Sequence, residues 1–391
     1  RPLRRCFSQH ILLTKEQHAL KESARVFAEQ VIAPLAAETD RNCSFDIRKV
    51  WRQIAEQKLF GITCQPEYGG VGLGYLEHVL INEEFSRASG TIGSLYSVQS
   101  NLVINQIVLN ANEAQKKKYL PKLCSGELIG CAALSETEAG SDLLGMRTKA
   151  TKTDGGYILN GTKMWISNAT VADLIVTYVK TDPSLGPKGI TTFLIEKDSK
   201  GISTGHMSNM IGQRGGGSAE LIFEDCFVPD SQVMGTVNKG LYAMATGISY
   251  ERVIFASNCL GLMQSALDYV VPYVTKKNSD GETLANSQLI QAKVADMYTA
   301  LESTRTYIYS AAMMCDRKQG TNKDFASLLL LASENAVKVA YDGLHILGRH
   351  GCLSECPLER IFRDAKGYDI AGGTTELRRL IIFKDLVGNL S

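Results

Sequence analysis

Apolar side chains recur at three- and four-residue intervals near both ends of the chain, whereas the middle carries short β-prone runs separated by turn residues. At Thr14-Lys15-Glu16-Gln17 a capping-box pattern precedes apolar Leu20, Ala24, Phe27 and Val31, which predicts a helix that Pro34 breaks or kinks. Helical spacing continues over 46–59, 75–88, 93–111 and 113–123, with 66–70 as a loop, so 11–130 reads as a helical domain. Within 156–165, Asn160-Gly161 sits between β-prone residues and predicts a hairpin turn. Further strands are expected over 174–179, 191–195 and 219–223, which makes 131–238 a small β-barrel or sandwich. Leu260, Met263, Leu267, Val270 and Val274 then form one helical stripe. After a break at Gly281, helical patterns cover 289–319 and 324–347, so 239–391 predicts a four-helix bundle. The fold class is multidomain α+β, in α, β, α order and without an internal repeat.

Charge narrows the partners. Lys plus Arg (42) nearly balances Asp plus Glu (41), which offers no electrostatic case for nucleic acid or an anionic membrane. Ten cysteines without a Cys-x-x-Cys pair suit a reducing compartment. Cys352 and Cys356 read as two packed thiols, since no second ligand pair accompanies them, and no metal site is expected. No apolar run approaches the roughly 20 residues that span a bilayer. The opening Arg1-Pro2-Leu3-Arg4-Arg5-Cys6-Phe7-Ser8 has no acid before Glu16, the composition of an organellar transit segment, which makes 1–10 a processed remnant; a solvated basic tail is the other reading.

Three segments carry a family resemblance: 133–142 (Ala-Leu-Ser-Glu-Thr-Glu-Ala-Gly-Ser-Asp), 165–168 (Trp-Ile-Ser-Asn) and 368–376 (Tyr-Asp-Ile-Ala-Gly-Gly-Thr-Thr-Glu). Together they resemble the acyl-CoA dehydrogenases, and 97–106 and 112–121 are similar to the isovaleryl branch. The resemblance covers nearly the whole chain and implies that family's helical, β and helical-bundle domains. Most members carry their catalytic glutamate two residues before the threonine of the last segment, where this chain has Gly372. Ser249-Tyr250-Glu251-Arg252 resembles the branch in which an earlier helix supplies the base. Without the resemblance, Glu251 reads as a buried partner of Arg252.

Desaturating an acyl thioester needs a base for the α proton and an acceptor for the β hydride, held in line. No side chain accepts a hydride, so the resemblance implies FAD. It assigns Ser135, Trp165, Ser167, Thr374, Glu376, Lys277, Gln288 and Arg349 to the cofactor. Ser141, Tyr250, Arg252, Gly372 and Gly373 go to the acyl-CoA substrate, and Ser94 and Val98 to the acyl cavity. The implied protein oxidises a short branched acyl-CoA of the isovaleryl type in leucine catabolism in the mitochondrial matrix, and passes electrons to electron-transfer flavoprotein. It is a homotetramer or dimer, or part of a larger mitochondrial complex.

Departures cluster where a neighbouring subunit would hold FAD. The family's Arg, Phe and Gln are replaced by Lys277, Asp280 and Glu282, and each acid near a pyrophosphate would cost on the order of a few kcal/mol at an effective dielectric of about 20. His345 and Cys352 also differ from the family pattern there. Gly348-Arg349-His350-Gly351-Cys352 puts arginine at a family glycine. Arg349 either blocks backbone approach or supplies the missing phosphate fork. These changes motivate an alternative: a catalytically impaired paralogue that serves as an assembly subunit.

Overall fold

The computed structural model describes residues 13–277 and 279–388; the predicted transit remnant at 1–10 lies outside them. The helices that precede the sheet are α1 (Lys15–Phe27), α2 (Ala36–Asn42), α3 (Ile47–Glu56), α4 (Tyr75–Ala88), α5 (Gly90–Ser97), α6 (Gln106–Asn110) and α7 (Glu113–Cys124). Eight strands follow: β1 (Gly130–Ala133), β2 (Lys149–Thr153), β3 (Gly156–Ile166), β4 (Leu174–Lys180), β5 (Ile190–Glu196), β6 (Ile202–Met207), β7 (Ala219–Pro229) and β8 (Val233–Met234). Then come α8 (Gly240–Thr275), α9 (Gln288–Asp316), α10 (Asn322–Leu347), α11 (Pro357–Gly367) and α12 (Thr375–Val387).

The described residues divide into two compact units, one built from those within 1–37, 74–93 and 252–391, the other from 38–73 and 94–251. In the first, Thr14 caps α1 through the predicted box with Gln17. Pro34 kinks the chain without ending it: a π turn (Ala28–Ile32) and a 3-10 turn (Ala33–Leu35) lead into α2, because proline is tolerated in a first turn, where its missing N–H goes unused. The whole 260–274 stripe is buried. Gly261 lets α8 close on α4, since a Cβ there would meet the Glu83 carbonyl oxygen at 2.4 Å. Beside it Asn82 Nδ2 donates to Ser257 Oγ at 2.8 Å and to Asn258 Oδ1 at 2.9 Å, so this buried amide is satisfied.

The second unit is organised around one mixed sheet, in the order β6-β7-β3-β2-β4-β5-β8, with β1 pairing parallel to β4. Its apolar face buries Leu159, Ile175, Phe193, Leu221 and Phe223. The hairpin expected at Asn160-Gly161 is not there. β3 runs straight through both residues, and the two-residue turn is Asp154-Gly155, joining β2 to β3 with Gly155 at φ +72°. Asn160-Gly161 marks a bulge against β7 instead: Gly161 stands at φ +144°, and a Cβ on it would lie 2.6 Å from Thr148 Oγ1. The 93–111 pattern also differs in detail, because its middle, Val98–Asn105, winds as a π-helix between α5 and α6.

Candidate active site

Glu251 lies on α8 and is only 3% exposed. Two side chains from the Val98–Asn110 stretch bind the N-terminal half of this helix two turns apart. Gln106 Nε2 donates to the Ala243 carbonyl at 3.1 Å, and Asn101 Nδ2 donates to Glu251 Oε2 at 2.5 Å. Gly247 makes room for the first, since a Cβ there would fall 1.3 Å from Gln106 Nε2. Glu251 Oε1 is buried and has no hydrogen-bond partner among the described residues. Burial pushes the carboxyl up to about 8, against the opposing pull of the Asn101 hydrogen bond. Glu251 forms no ion pair among the described residues, so the alternative reading as a partner of Arg252 is not what the structure holds. Consecutive helix residues point about 100° apart, which removes the geometric basis for such a pair.

Arg252 is itself buried, with its Nε unpartnered among the described residues. Burial, and then the nearby Arg378, destabilise its cation. Arg378 holds the turn before α12, donating to the Tyr368 carbonyl at 2.7 Å, the Ala371 carbonyl at 2.6 Å and Ser333 Oγ at 2.9 Å. Gly372 (φ +72°) and Gly373 (φ +95°) are thereby set in left-handed backbone, which disfavours a glutamate in this slot. Thr374 caps α12 by accepting from the Leu377 N–H, and Glu376 lies exposed in the first turn.

Ser135, Trp165 and Ser167 are brought together on the second unit. The Met164 N–H donates to the Ser135 carbonyl at 2.8 Å, which lays the Ser135 loop against the end of β3. Trp165 follows at φ +58° and 46% exposed. A bulky residue in left-handed backbone is strained, and such strain concentrates at ligand sites. Sequence reading missed the pair beneath: Lys163, fully buried on β3, donates to Glu136 Oε1 at 2.9 Å and to the Leu134 carbonyl at 3.0 Å. Glu136 also accepts from the Arg147 and Thr148 N–H groups. Burial alone would raise its carboxyl, yet Lys163 and these donors hold it below its ordinary value. Lys163→Met should strand a buried carboxylate and cost about 3–5 kcal/mol. A lower melting temperature together with faster FAD loss, read by released flavin fluorescence, would locate the damage at this wall.

The remaining predicted residues differ in exposure. Ser141, Lys277, Gln288 and Arg349 are exposed and Tyr250 is half-buried. Ser94 and Val98 are buried, and Ser94 Oγ donates to Gln213 Oε1 at 3.2 Å. Neither Lys277 nor Arg349 has an ion pair among the described residues, and Glu282 accepts from Asn286 Nδ2 at 2.9 Å. Of the missed residues, only the four-residue spacing of Asn101 and Asn105 in an apolar helical run hinted at a role.

Each unit by itself offers features that suit part of a flavin dinucleotide. A strained, exposed indole beside two serines on the second unit suits a planar ring. On the first unit, exposed Lys277 and Arg349, without an ion pair among the described residues, suit phosphates. Comparison with known proteins shows the family. Family models match over 14–127 (acyl-CoA dehydrogenase, N-terminal domain), 131–226 (middle domain) and 238–387 (C-terminal domain). The chain is 46% identical to 2-methylacyl-CoA dehydrogenase, mitochondrial, of Solanum tuberosum, over 97% of this chain and 92% of that one. It is 47% identical to isovaleryl-CoA dehydrogenase, mitochondrial, of Pongo abelii, over 95% and 88%. A chain from the structure of the electron transferring flavoprotein of Acidaminococcus fermentans superposes with a TM-score of 0.94 at 33% identity, covering 97% of this chain and all of that one. With three matching domains and such relatives along its length, the chain belongs to the acyl-CoA dehydrogenase family, an FAD-dependent oxidoreductase acting on acyl-CoA.

Proposed function

We propose that the protein oxidises a short branched acyl-CoA of the isovaleryl type at its α and β carbons, with Glu251 as the base. One observation carries this: a buried carboxylate with one oxygen held by Asn101 and the other without a partner among the described residues. The α proton passes to Oε1, and its electron pair forms the new double bond as hydride leaves the β carbon. FAD, when bound, would supply the hydride acceptor, and Ser135, Trp165, Ser167, Thr374, Glu376, Lys277, Gln288 and Arg349 would hold it. Ser141, Tyr250, Arg252 and the Gly372-Gly373 turn serve the thioester and its CoA arm, with Ser94 and Val98 at the acyl end. A one-methyl change in such a cavity shifts selectivity by only about 1–3 kcal/mol, so the two curated relatives, with differently branched substrates in their names, support a branched substrate more firmly than one particular acid.

The mitochondrial names of these relatives support a mitochondrial address, the matrix in particular, and a place in leucine breakdown. The Acidaminococcus structure supports electron-transfer flavoprotein as the acceptor of the electrons. Exposed Leu380, Phe383 and Leu386 along α12 support assembly into a dimer or homotetramer. The domain limits 11–130, 131–238 and 239–391 remain part of this reading.

The test is the visible spectrum of the purified protein, followed under anaerobic conditions as isovaleryl-CoA is added. Bleaching of the flavin band is expected. A bound flavin that neither isovaleryl-CoA nor 2-methylbutyryl-CoA bleaches would overturn the reading. A second reading, the impaired assembly subunit, is favoured by exposed Asp280 and Glu282 at the expected pyrophosphate positions. Its signature is a protein without turnover that copurifies with other mitochondrial chains.

A further inference from the structure

The amide that holds Glu251 is itself held in one orientation. Thr63 Oγ1 donates to Asn105 Oδ1 at 3.2 Å, Asn105 Nδ2 to Asn101 Oδ1 at 3.1 Å, and Asn101 Nδ2 to Glu251 Oε2 at 2.5 Å. Each amide turns its oxygen towards the hydroxyl and its NH2 towards the carboxylate, so the relay has a single polarity. Reversing Asn101 would press its carbonyl against the carboxylate. Both asparagines are buried within the π-helical Val98–Asn105 segment, a winding often found at functional sites. Neither that segment nor α6 carries a titratable side chain, and the charged neighbour along α8 is Arg252. Asn101 is thus the polar group that faces Glu251 from the packed segment.

We infer that Asn101 is a positioning residue, which dictates the Glu251 oxygen that meets the substrate and how readily this carboxylate ionises. The inference rests on Glu251 being the base. An N–H donor stabilises the charged form of a carboxylate and opposes the effect of burial. By occupying Oε2, the donor also leaves Oε1 to receive the proton.

Asn101→Leu and Asn101→Asp in the FAD-loaded protein test this, with Glu251→Gln measured beside them. The readouts are the pH profile of kcat/KM and the protonation of Glu251, followed by infrared difference spectroscopy against Glu251→Gln. The acidic limb should move up by about one to two pH units in Asn101→Leu, the loss of one charge-assisted hydrogen bond. It should move further in Asn101→Asp, which sets two carboxylates together. A fall in kcat larger than any rise in KM should accompany both. Should Asn101→Leu not fold, Asn101→Asp, of equal size, carries the test, and Asn105→Ala should produce a smaller shift in the same direction by freeing the amide to turn. Unmoved limbs with an inactive Glu251→Gln overturn the role of Asn101 alone. An active Glu251→Gln places the base elsewhere and overturns the functional reading as well.

Discussion

Glu251→Gln should lower kcat by about 10²–10⁴-fold, the share of a positioned general base, while FAD stays bound. The same variant should be more stable than the parent at alkaline pH. The Glu251 carboxyl sits at about 8 in the folded protein, against an ordinary value of 4.5. Between those limits the folded state holds a proton that the unfolded chain has lost, so stability falls as pH rises from about 4.5 to about 8. Glutamine cannot ionise and escapes that loss, which amounts to on the order of a few kcal/mol. It keeps the acceptor for Asn101, so the geometry is preserved. Rapid-mixing measurement of flavin bleaching and melting curves at about pH 5 and about pH 9 check both halves, with the melting temperatures diverging only at the higher pH. A variant that is merely misfolded would lose activity and stability together. Loss of one with gain of the other is the mark of a residue kept for chemistry at the expense of stability.

The second large effect lies far along the chain from this carboxylate, in the buried charges of the first unit. Glu83 accepts from Lys21 at 2.8 Å, Arg305 at 3.2 Å and Tyr309 Oη at 2.5 Å, and Arg305 also pairs with Glu302. The group joins α1, α4 and α9. Arg305→Leu would leave Glu83 and Glu302 short of a cation and should cost about 3–5 kcal/mol. Burial alone would raise the Glu83 carboxyl, but Lys21 and Arg305 outweigh it and hold it down at about 2. Its contribution is therefore present above about 4.5 and is lost as pH falls from there towards 2. In Arg305→Leu the carboxyl protonates more readily, so the gap in melting temperature from the parent should narrow on acidification. A gap that stays constant with pH would mean that the arginine acts through packing of its stem and not through charge.

Much of the architecture could be read in advance because its causes are local. The Thr14 box and the 75–88 pattern became α1 and α4, and 174–179 and 191–195 became β4 and β5, since capping and periodicity act within a few residues. Asn160-Gly161 failed for the converse reason. The dipeptide suits a turn or a bulge equally, and the choice fell to β7, whose pairing with β3 joins residues some sixty positions apart. The π winding of Val98–Asn105 was equally silent, because an apolar helical pattern does not distinguish i→i+4 from i→i+5 bonding.

The amino-acid sequence by itself determined the order of helical and β segments, the glycine in the usual base slot and Glu251 as the candidate carboxylate. The order follows from residue type and spacing, and the other two from the family resemblance that residues 133–142, 165–168, 249–252 and 368–376 carry. Tertiary structure alone decided that Glu251 is buried beside an amide 150 residues earlier, that one of its oxygens has no partner, and that Lys163 and Glu136 lie beneath the Trp165 wall. The physical reason is that a carboxylate's basicity depends on the solvent it loses and the donors it meets, and both are supplied by segments that only folding brings within hydrogen-bonding distance.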